Sequence, residues 1–205
     1  MDVLILAGGE NKRLPVLKGF LEIRGKRIIE STIELLRTLF DRVIISTNTP
    51  ESFFYLGVPI VGDVIKYRGP MAGILSAFIS LEVPEIFVTA CDMPFIKPAL
   101  IKYIVGQTKQ YPAELLGMRR WGAVIPIFGN KPQPLLGIYS REIVPVMERT
   151  IQEEKRSLRR FLKKIDVLYI PEDEVKTVDP EGISFVNINT PEDFEREGGG
   201  KNTDP

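Results

Sequence analysis

Apolar and polar residues follow two different periods along the first half of the chain. Short apolar runs that end at Gly, Asn or Asp are typical of buried strands, and they predict strands at 3–7, 42–46, 58–61 and 86–90. Between them, apolar positions recur every three or four residues, which predicts helices at 26–40, from Pro70 to about Leu81 and from Pro98 to about Val105, with a short helix near 51–55. This alternation of strand and helix favours an α/β fold with a mostly parallel central sheet.

The second half of the chain is less regular. Its apolar runs predict strands at 123–128, 135–139, 167–170 and 184–188, and its amphipathic stretches predict helices at 141–154, 158–164 and 191–196. Pro145 lies inside the first of these helices and is expected to kink it. Because no linker interrupts the pattern, we expect one three-layer, Rossmann-like domain over residues 1–197 and a disordered, Gly-rich tail over 198–205.

The composition narrows the class of protein. Lys plus Arg and Asp plus Glu both number 27, so the formal charge of this 205-residue chain is zero, which argues against bulk nucleic-acid binding. No apolar run approaches the length of a membrane span, and no signal peptide is visible. The single cysteine, Cys91, fits a reducing compartment, so we expect a cytoplasmic protein. Since His is absent, any chemistry must use Asp, Lys and Arg, with a hard cation such as Mg²⁺ as a further candidate.

Three polar or glycine positions each follow a predicted strand directly. Gly8, Asn48 and Asp92 therefore lie at the carboxyl ends of strands, where parallel sheets bind ligands. Asp92 is well placed to hold Mg²⁺, although a capping or solvated turn residue would look the same in sequence. We expect Cys91 to be a small, buried residue. A nucleophilic role would need an activating base, and the chain has no His to serve as one.

Two glycine-bearing segments are candidates for binding phosphate. Gly8 and Gly9 permit positive φ and a close approach of backbone to an anion, and Arg13 and Lys18 follow as cations. The alternative is a plain glycine turn with solvated basic residues. Segment 69–74 is a second glycine-bearing helix start, where the helix dipole favours anions; its alternative is tight packing of helix on sheet.

These segments together resemble the molybdenum-cofactor guanylyltransferases, a family of nucleotidyltransferases. The resemblance runs from Leu6 to about Asp193, and it departs from the family pattern at Pro15, where Gly is usual. The matching stretches are Leu-Ala-Gly-Gly at 6–9 with Arg13 and Lys18, Gly-Pro-Met-Ala-Gly-Ile at 69–74, Cys-Asp-Met-Pro-Phe at 91–95, Gln-Pro-Leu at 133–135 and Asn-Ile-Asn-Thr-Pro-Glu-Asp at 187–193.

The resemblance implies an Mg²⁺-dependent transfer of GMP from GTP to molybdopterin, with release of pyrophosphate. It assigns catalysis to Arg13, Lys18 and Asp92, and metal binding to Asp92, Asn187 and Asn189, the two asparagines sharing one face of the predicted strand. Capping of the strand end is the alternative for those asparagines. The nucleotide-binding set that it implies is Leu6, Ala7, Gly8, Gly9, Lys18, Asn48, Asp63, Gly69 and Asp92.

The residues themselves leave the acceptor open. The same chemistry could serve a sugar phosphate, cobinamide phosphate or lactyl phosphate, and a non-catalytic nucleotide-binding module is the alternative from another class. The implied partners are GTP and molybdopterin, with transient contact to molybdoenzymes or other cofactor-biosynthesis proteins.

Overall fold

The computed structural model describes residues 1–8, 18–23, 25–65, 69–110, 121–153, 157–188 and 193, with the backbone alone at 18, 109 and 110. Ten strands lie within these ranges. They are β1 Asp2–Leu6, β2 Glu22–Ile23, β3 Lys26–Arg27, β4 Arg42–Ser46, β5 Ile60–Val61, β6 Glu85–Ala90, β7 Ala123–Phe128, β8 Lys131–Pro132, β9 Leu136–Ser140 and β10 Val167–Ile170.

Eight of these strands form one mixed sheet. Its order is β10-β7-β9-β6-β1-β4-β5, with β8 paired to β7, and β2 pairs with β3 in a separate small sheet. The half built from β6, β1, β4 and β5 is parallel throughout. In the other half, β9 runs antiparallel to β6 and β7, and the two-residue β8 runs antiparallel to β7. The predicted mostly parallel sheet is therefore confirmed.

Helices cover both faces of the sheet, because successive apolar residues of its strands point to opposite faces and both sets are buried. In β1, Val3 and Ile5 point into one apolar core, and Leu4 and Leu6 point into the other. The helices are α1 Ile28–Arg37, α2 Pro70–Ser80, α3 Pro98–Gln110, α4 Val144–Gln152, α5 Leu158–Leu162 and α6 Glu172–Val178. The first core packs α1, α3 and α6, and the second packs α2, α4 and α5. No helix among the described residues combines the length and the apolarity needed to cross a membrane.

Most predicted elements of the first half are confirmed within a few residues. The predicted strand at 58–61 is the edge strand β5, and α3 continues beyond Val105 to Gln110. The predicted helix at 26–40 is wrong at its start, where Lys26 and Arg27 pair with β2 before α1 begins. Two single turns, Pro50–Ser52 and Phe54–Leu56, replace the short helix expected near 51–55.

Two predictions for the second half are wrong, and one helix was missed. Pro145 does not kink a helix, because it occupies the first turn of α4 after a short turn at Arg141–Ile143. The predicted strand at 184–188 is instead the turn Ile183–Phe185 followed by irregular chain, since none of the described strands pairs with it. Helix α6 was not predicted, because its short, acidic sequence has little apolar periodicity. The helix expected at 191–196 and the tail at 198–205 lie outside the described residues, apart from Asp193.

Gly73 explains how closely α2 approaches the sheet. A Cβ at this position would lie 2.4 Å from Ser46 Oγ and 2.8 Å from Leu6 Cδ2. The helix can therefore lie this close to the ends of β1 and β4 only because residue 73 has no side chain. Tight packing of helix on sheet, the alternative interpretation of the 69–74 segment, is confirmed for Gly73.

Gly73→Ala should destabilise the protein, against the usual preference of helices for Ala. Overpacking of this kind costs about 1–3 kcal/mol of unfolding free energy. Gly106 in α3 is the matched control, because a Cβ there would meet none of the described residues within 4 Å. Gly106→Ala should raise the unfolding free energy by about 0.5–1 kcal/mol. Urea unfolding of the two variants measures this, and a stabilised Gly73→Ala would refute the close approach of α2.

Candidate functional site

Four neighbouring strands end together at one edge of the sheet. Leu6 at the end of β1 is in register with Ser46 of β4 and Ala90 of β6. The pairing continues one residue further, since Ala7 N donates to Ser46 O at 2.8 Å and Cys91 N donates to Leu6 O at 3.1 Å. Gly8, Asn48, Asp63 and Asp92 therefore follow four adjacent strands at this edge, which we call the strand-end site.

Asn48 and Asp63 form a reciprocal pair across the ends of β4 and β5. Asn48 Nδ2 donates to Asp63 Oδ2 at 2.6 Å, and Asp63 N donates to Asn48 Oδ1 at 3.0 Å. Partial burial raises the pKa of Asp63, and the hydrogen bond from Asn48 opposes that rise. The pair fixes the orientation of one amide and one carboxylate while leaving both accessible from solvent.

The described glycines of the two predicted phosphate segments behave differently. Gly8 is exposed and does not adopt positive φ, and none of the described residues lies within 4 Å of a Cβ position there, so these residues leave space beside its backbone. Gly8 therefore does not use the positive φ that glycine permits. Gly69 has φ 136° and ψ 174°, a conformation essentially restricted to glycine, and its carbonyl accepts from Ala72 N at 3.0 Å as α2 begins.

Asp92 and Asn187 come from distant parts of the chain and meet at this edge. Ile188 N donates to the backbone carbonyl of Asp92 at 2.9 Å, which brings the 183–188 segment beside the turn after β6. Asn187 Nδ2 donates to Phe185 O at 3.4 Å. The two residues are therefore neighbours as the resemblance implies, although they are joined through irregular chain and not through a strand. Cys91 is half-buried and not fully buried as expected.

The antiparallel strand β9 brings a second loop to the same place. Because β9 runs against β6, its first residue, Leu136, is in register with Thr89 near the carboxyl end of β6. The buried Tyr139 hydroxyl donates to Pro134 O at 2.7 Å and so anchors the loop before β9. Gln133 Nε2 donates to Phe128 O at 3.0 Å. Sequence reasoning missed the part played by Tyr139, because a strand tyrosine carries no signal of where its hydroxyl points.

A cavity of about 230 Å³ lies between these segments. It is bounded by the start of α2, the residue after Asp92, the loop before β9, the start of α5 and the late segment. Its lining is mostly apolar, with a few polar groups from Gln133, Ser157, Arg159 and Asn187. A mixed lining of this kind suits a small organic ligand with a polar end. The contribution of Ser157 and Arg159 was not predicted, since only their position in the fold reveals it.

The donors at the edge suit a hard divalent ion. Asp92 supplies a carboxylate and Asn187 an amide oxygen, and Mg²⁺ typically binds one or two protein oxygens together with phosphates and water. Among the described residues, no three Asp, Glu, His or Cys side chains come together as a metal site. Because Mg²⁺ is octahedral, Asp92 and Asn187 would leave several positions of its shell to other oxygens.

Several residues implied by the resemblance lie outside the described part of the chain. They are Gly9, Arg13 and Asn189, together with the side chain of Lys18. The backbone of Lys18 begins the turn Lys18–Phe20. A Cβ at Gly19 would lie 3.5 Å from Cys91 Cβ, so this turn packs against the chain just before Asp92.

Known proteins are similar to this chain over most of its length. Residues 3–168 match the model of the MobA-like NTP transferase domain. A protein of Syntrophotalea carbinolica named molybdenum cofactor guanylyltransferase is 33% identical over 195 residues, which cover 95% of this chain and 89% of the relative. A protein of Desulfosudis oleivorans with the same name is 30% identical over 194 residues, covering 94% and 92%.

A solved structure agrees over the whole fold. The crystal structure of molybdopterin-guanine dinucleotide biosynthesis protein A from Archaeoglobus fulgidus superposes with a TM-score of 0.80 at 28% identity, covering 97% of each chain. The match of the family model over most of the chain, the identity to both relatives and this superposition lead to one conclusion: the chain belongs to the MobA-like NTP transferase family.

Proposed function

We propose that this protein is a molybdenum cofactor guanylyltransferase, which transfers GMP from GTP to the phosphate of molybdopterin and releases pyrophosphate. Its family membership makes it a nucleotidyltransferase, and the names of its relatives supply the acceptor. The observation that carries the proposal is the cavity beside the strand-end site. It gives a second substrate room next to the edge where Asp92, Asn48 and Asp63 gather.

The reaction suits a site without histidine. An oxygen of the acceptor phosphate attacks the α-phosphorus of GTP, the bond to the bridging oxygen between the α- and β-phosphates breaks, and pyrophosphate leaves with that electron pair. Because the attacking oxygen is already anionic, no general base is needed. Catalysis then consists of aligning two phosphates and neutralising their charge.

The strand-end residues divide this work. Asp92 and Asn187 would hold the divalent ion that enzymes of this type need, for which we propose Mg²⁺, with Asn189 as a further ligand. That ion supplies charge neutralisation at the phosphate oxygens. Open space beside Gly8 allows the phosphate chain to approach the backbone of the 6–9 segment, and Arg13 and Lys18 would contribute the remaining positive charge.

Asn48 and Asp63 would bind the nucleoside. The hydrogen bonds between them use one carboxylate oxygen of Asp63 and one amide hydrogen of Asn48. Among the described residues, the other oxygen and the other hydrogen remain for a ligand. A guanine edge offers both donors and an acceptor, so this oriented pair can match it. The start of α2 brings Gly69 close to the site. The backbone of Gly69 would border the nucleotide.

The cavity would receive the acceptor. Apolar side chains of the loop before β9 and of α5 can cover a flat ring system, and Arg159, which also lines the cavity, could bind a phosphate. We also propose that the protein works in the cytoplasm, with transient contact to molybdoenzymes or other proteins of cofactor biosynthesis.

GTP with Mg²⁺ should raise the melting temperature more than CTP or ATP does at equal concentration. A ligand at a hundred times its Kd stabilises the native state by about 2.7 kcal/mol, which is several degrees for a chain of this size. A site that hydrogen-bonds one base rejects another strongly, because its own polar groups remain unpaired. Equal shifts with GTP and CTP would contradict the guanine assignment, and Mg²⁺ without nucleotide is the control.

A further inference from the structure

A buried aspartate lies outside the proposed reaction centre. Asp179 follows α6, and its side chain is completely buried. Lys97 Nζ lies 2.8 Å from Asp179 Oδ1, and Ser184 N donates to Asp179 Oδ2 at 2.9 Å. In addition, Lys97 N donates to Ser184 Oγ at 2.9 Å, so the three residues form a closed cluster. We call Lys97, Asp179 and Ser184 the clamp.

The charge state of the clamp is clear from its contacts. Burial alone would raise the pKa of Asp179, but the Lys97 ammonium and the hydrogen bonds from Ser184 outweigh that effect. The pKa consequently lies below its ordinary value, and Asp179 is a carboxylate paired with a cation. Buried ion pairs are a weak source of net stability, because desolvation offsets much of their attraction. A role in fixing geometry therefore accounts for the clamp better than stability does.

The clamp joins the two segments that carry Asp92 and Asn187, the proposed metal ligands. Lys97 lies in the stretch between the Asp92 turn and α3, and Ser184 lies in the Ile183–Phe185 turn just before Asn187. Beyond the clamp, Phe185 stacks on Phe128 with 5.1 Å between ring centroids. None of the described strands pairs with the 183–188 segment, so these contacts and the Ile188 bond to Asp92 O help to fix where it lies.

We propose that Asp179 is a positioning residue, which, with Lys97 and Ser184, holds the 183–188 segment so that Asn187 stays beside Asp92. The proposal rests on the proposed function for its catalytic consequence. Its structural part, the placement of the segment, stands independently of which substrate is used. Partners that orient metal-binding residues typically change metal affinity or activity by about 10–100-fold when they are removed.

Asp179→Asn tests this, because it removes the charge while retaining a side-chain oxygen for Ser184 N. We expect kcat to fall about tenfold or more and the apparent Mg²⁺ requirement to rise, with little change in the melting shift produced by GTP. Amide hydrogen exchange within residues 183–188 should speed up. Lys97→Met should reproduce these effects, and Lys97→Arg, which keeps the charge, should retain most of the activity.

Asp2→Asn is the matched control. Asp2 is also a buried aspartate paired with a cation, Arg42, but it lies at the amino end of β1, the opposite edge of the sheet. Its loss should lower the melting temperature without changing exchange at 183–188 or the Mg²⁺ requirement.

The outcomes separate the clamp from the function. Unchanged exchange at 183–188 in Asp179→Asn overturns the proposal, and so does a fall in kcat no larger than that of Asp2→Asn. If Asp179→Asn does not fold, Lys97→Met decides both readouts, since the Lys97 side chain is 31% exposed. If the wild-type protein transfers no GMP, the proposed function fails, and hydrogen exchange, which needs no substrate, still decides whether the clamp holds the segment.

Discussion

Asp92→Asn is expected to lower guanylyl transfer about a hundredfold or more while the protein stays folded. Removing one preorganised electrostatic contact from an active site typically costs 10²–10³ in kcat, or about 2.7–4 kcal/mol. Asn keeps the size of the side chain but has no charge and only one oxygen that can bind a divalent ion. The backbone carbonyl of Asp92 accepts from Ile188 N, and the substitution leaves that bond in place. Pyrophosphate release across a Mg²⁺ titration, beside a melting curve, measures both parts.

Asp166→Asn is the control for that experiment. Asp166 is exposed and likewise serves the fold through its backbone carbonyl, which accepts from Gly122 N at 2.8 Å. It precedes β10 at the opposite edge of the sheet, so its change should leave transfer intact. Near-normal turnover by Asp92→Asn at any Mg²⁺ concentration would remove Asp92 from the proposed metal site.

Lys18→Ala should weaken GTP binding or turnover about tenfold to a hundredfold and leave nucleotide-free melting nearly unchanged. Charge-assisted hydrogen bonds contribute about 1.5–3 kcal/mol, and those to a triphosphate exist only in the complex. The turn that begins at Lys18 packs near Cys91, so its position in the chain places the residue close to the Asp92 edge. GTP titration and melting without nucleotide, on the same variant, separate binding from folding.

Lys102→Ala provides the comparison, because Lys102 is an exposed lysine on α3. It should change neither measurement. A Lys18→Ala protein that melted several degrees lower but bound GTP as well as wild type would show that Lys18 is structural, and the phosphate-loop assignment would then be wrong.

The sequence predicts the parallel half of the fold well because that half is governed by local pattern. Strands such as β1 and β6 are buried on both faces, so each appears as a short, continuous apolar run, and the residues that follow them share an edge by topology alone. The juxtaposition of Asn48 with Asp63 follows the same logic. The direct hydrogen bonds between them do not, since side-chain pairing depends on the lengths of the connecting loops.

The parts that sequence could not predict depend on contacts between distant segments. The stretch at 184–188 has the apolar alternation of a strand, but it can pair only if the fold places it beside another strand. The clamp joins Lys97 to a residue more than eighty positions later, and no periodicity marks such a pair. Gly73 shows the reverse case, in which a motif glycine owes its identity at least partly to packing against Ser46.

The central claim is tested most directly by the product. Purified protein is incubated with GTP, Mg²⁺ and molybdopterin, and the mixture is analysed by mass spectrometry together with an assay for pyrophosphate. The account predicts molybdopterin guanine dinucleotide and an equal amount of pyrophosphate, both lost with Asp92→Asn and retained with Asp166→Asn. Absence of the dinucleotide, with pyrophosphate released instead when a sugar phosphate, cobinamide phosphate or lactyl phosphate replaces molybdopterin, would contradict it.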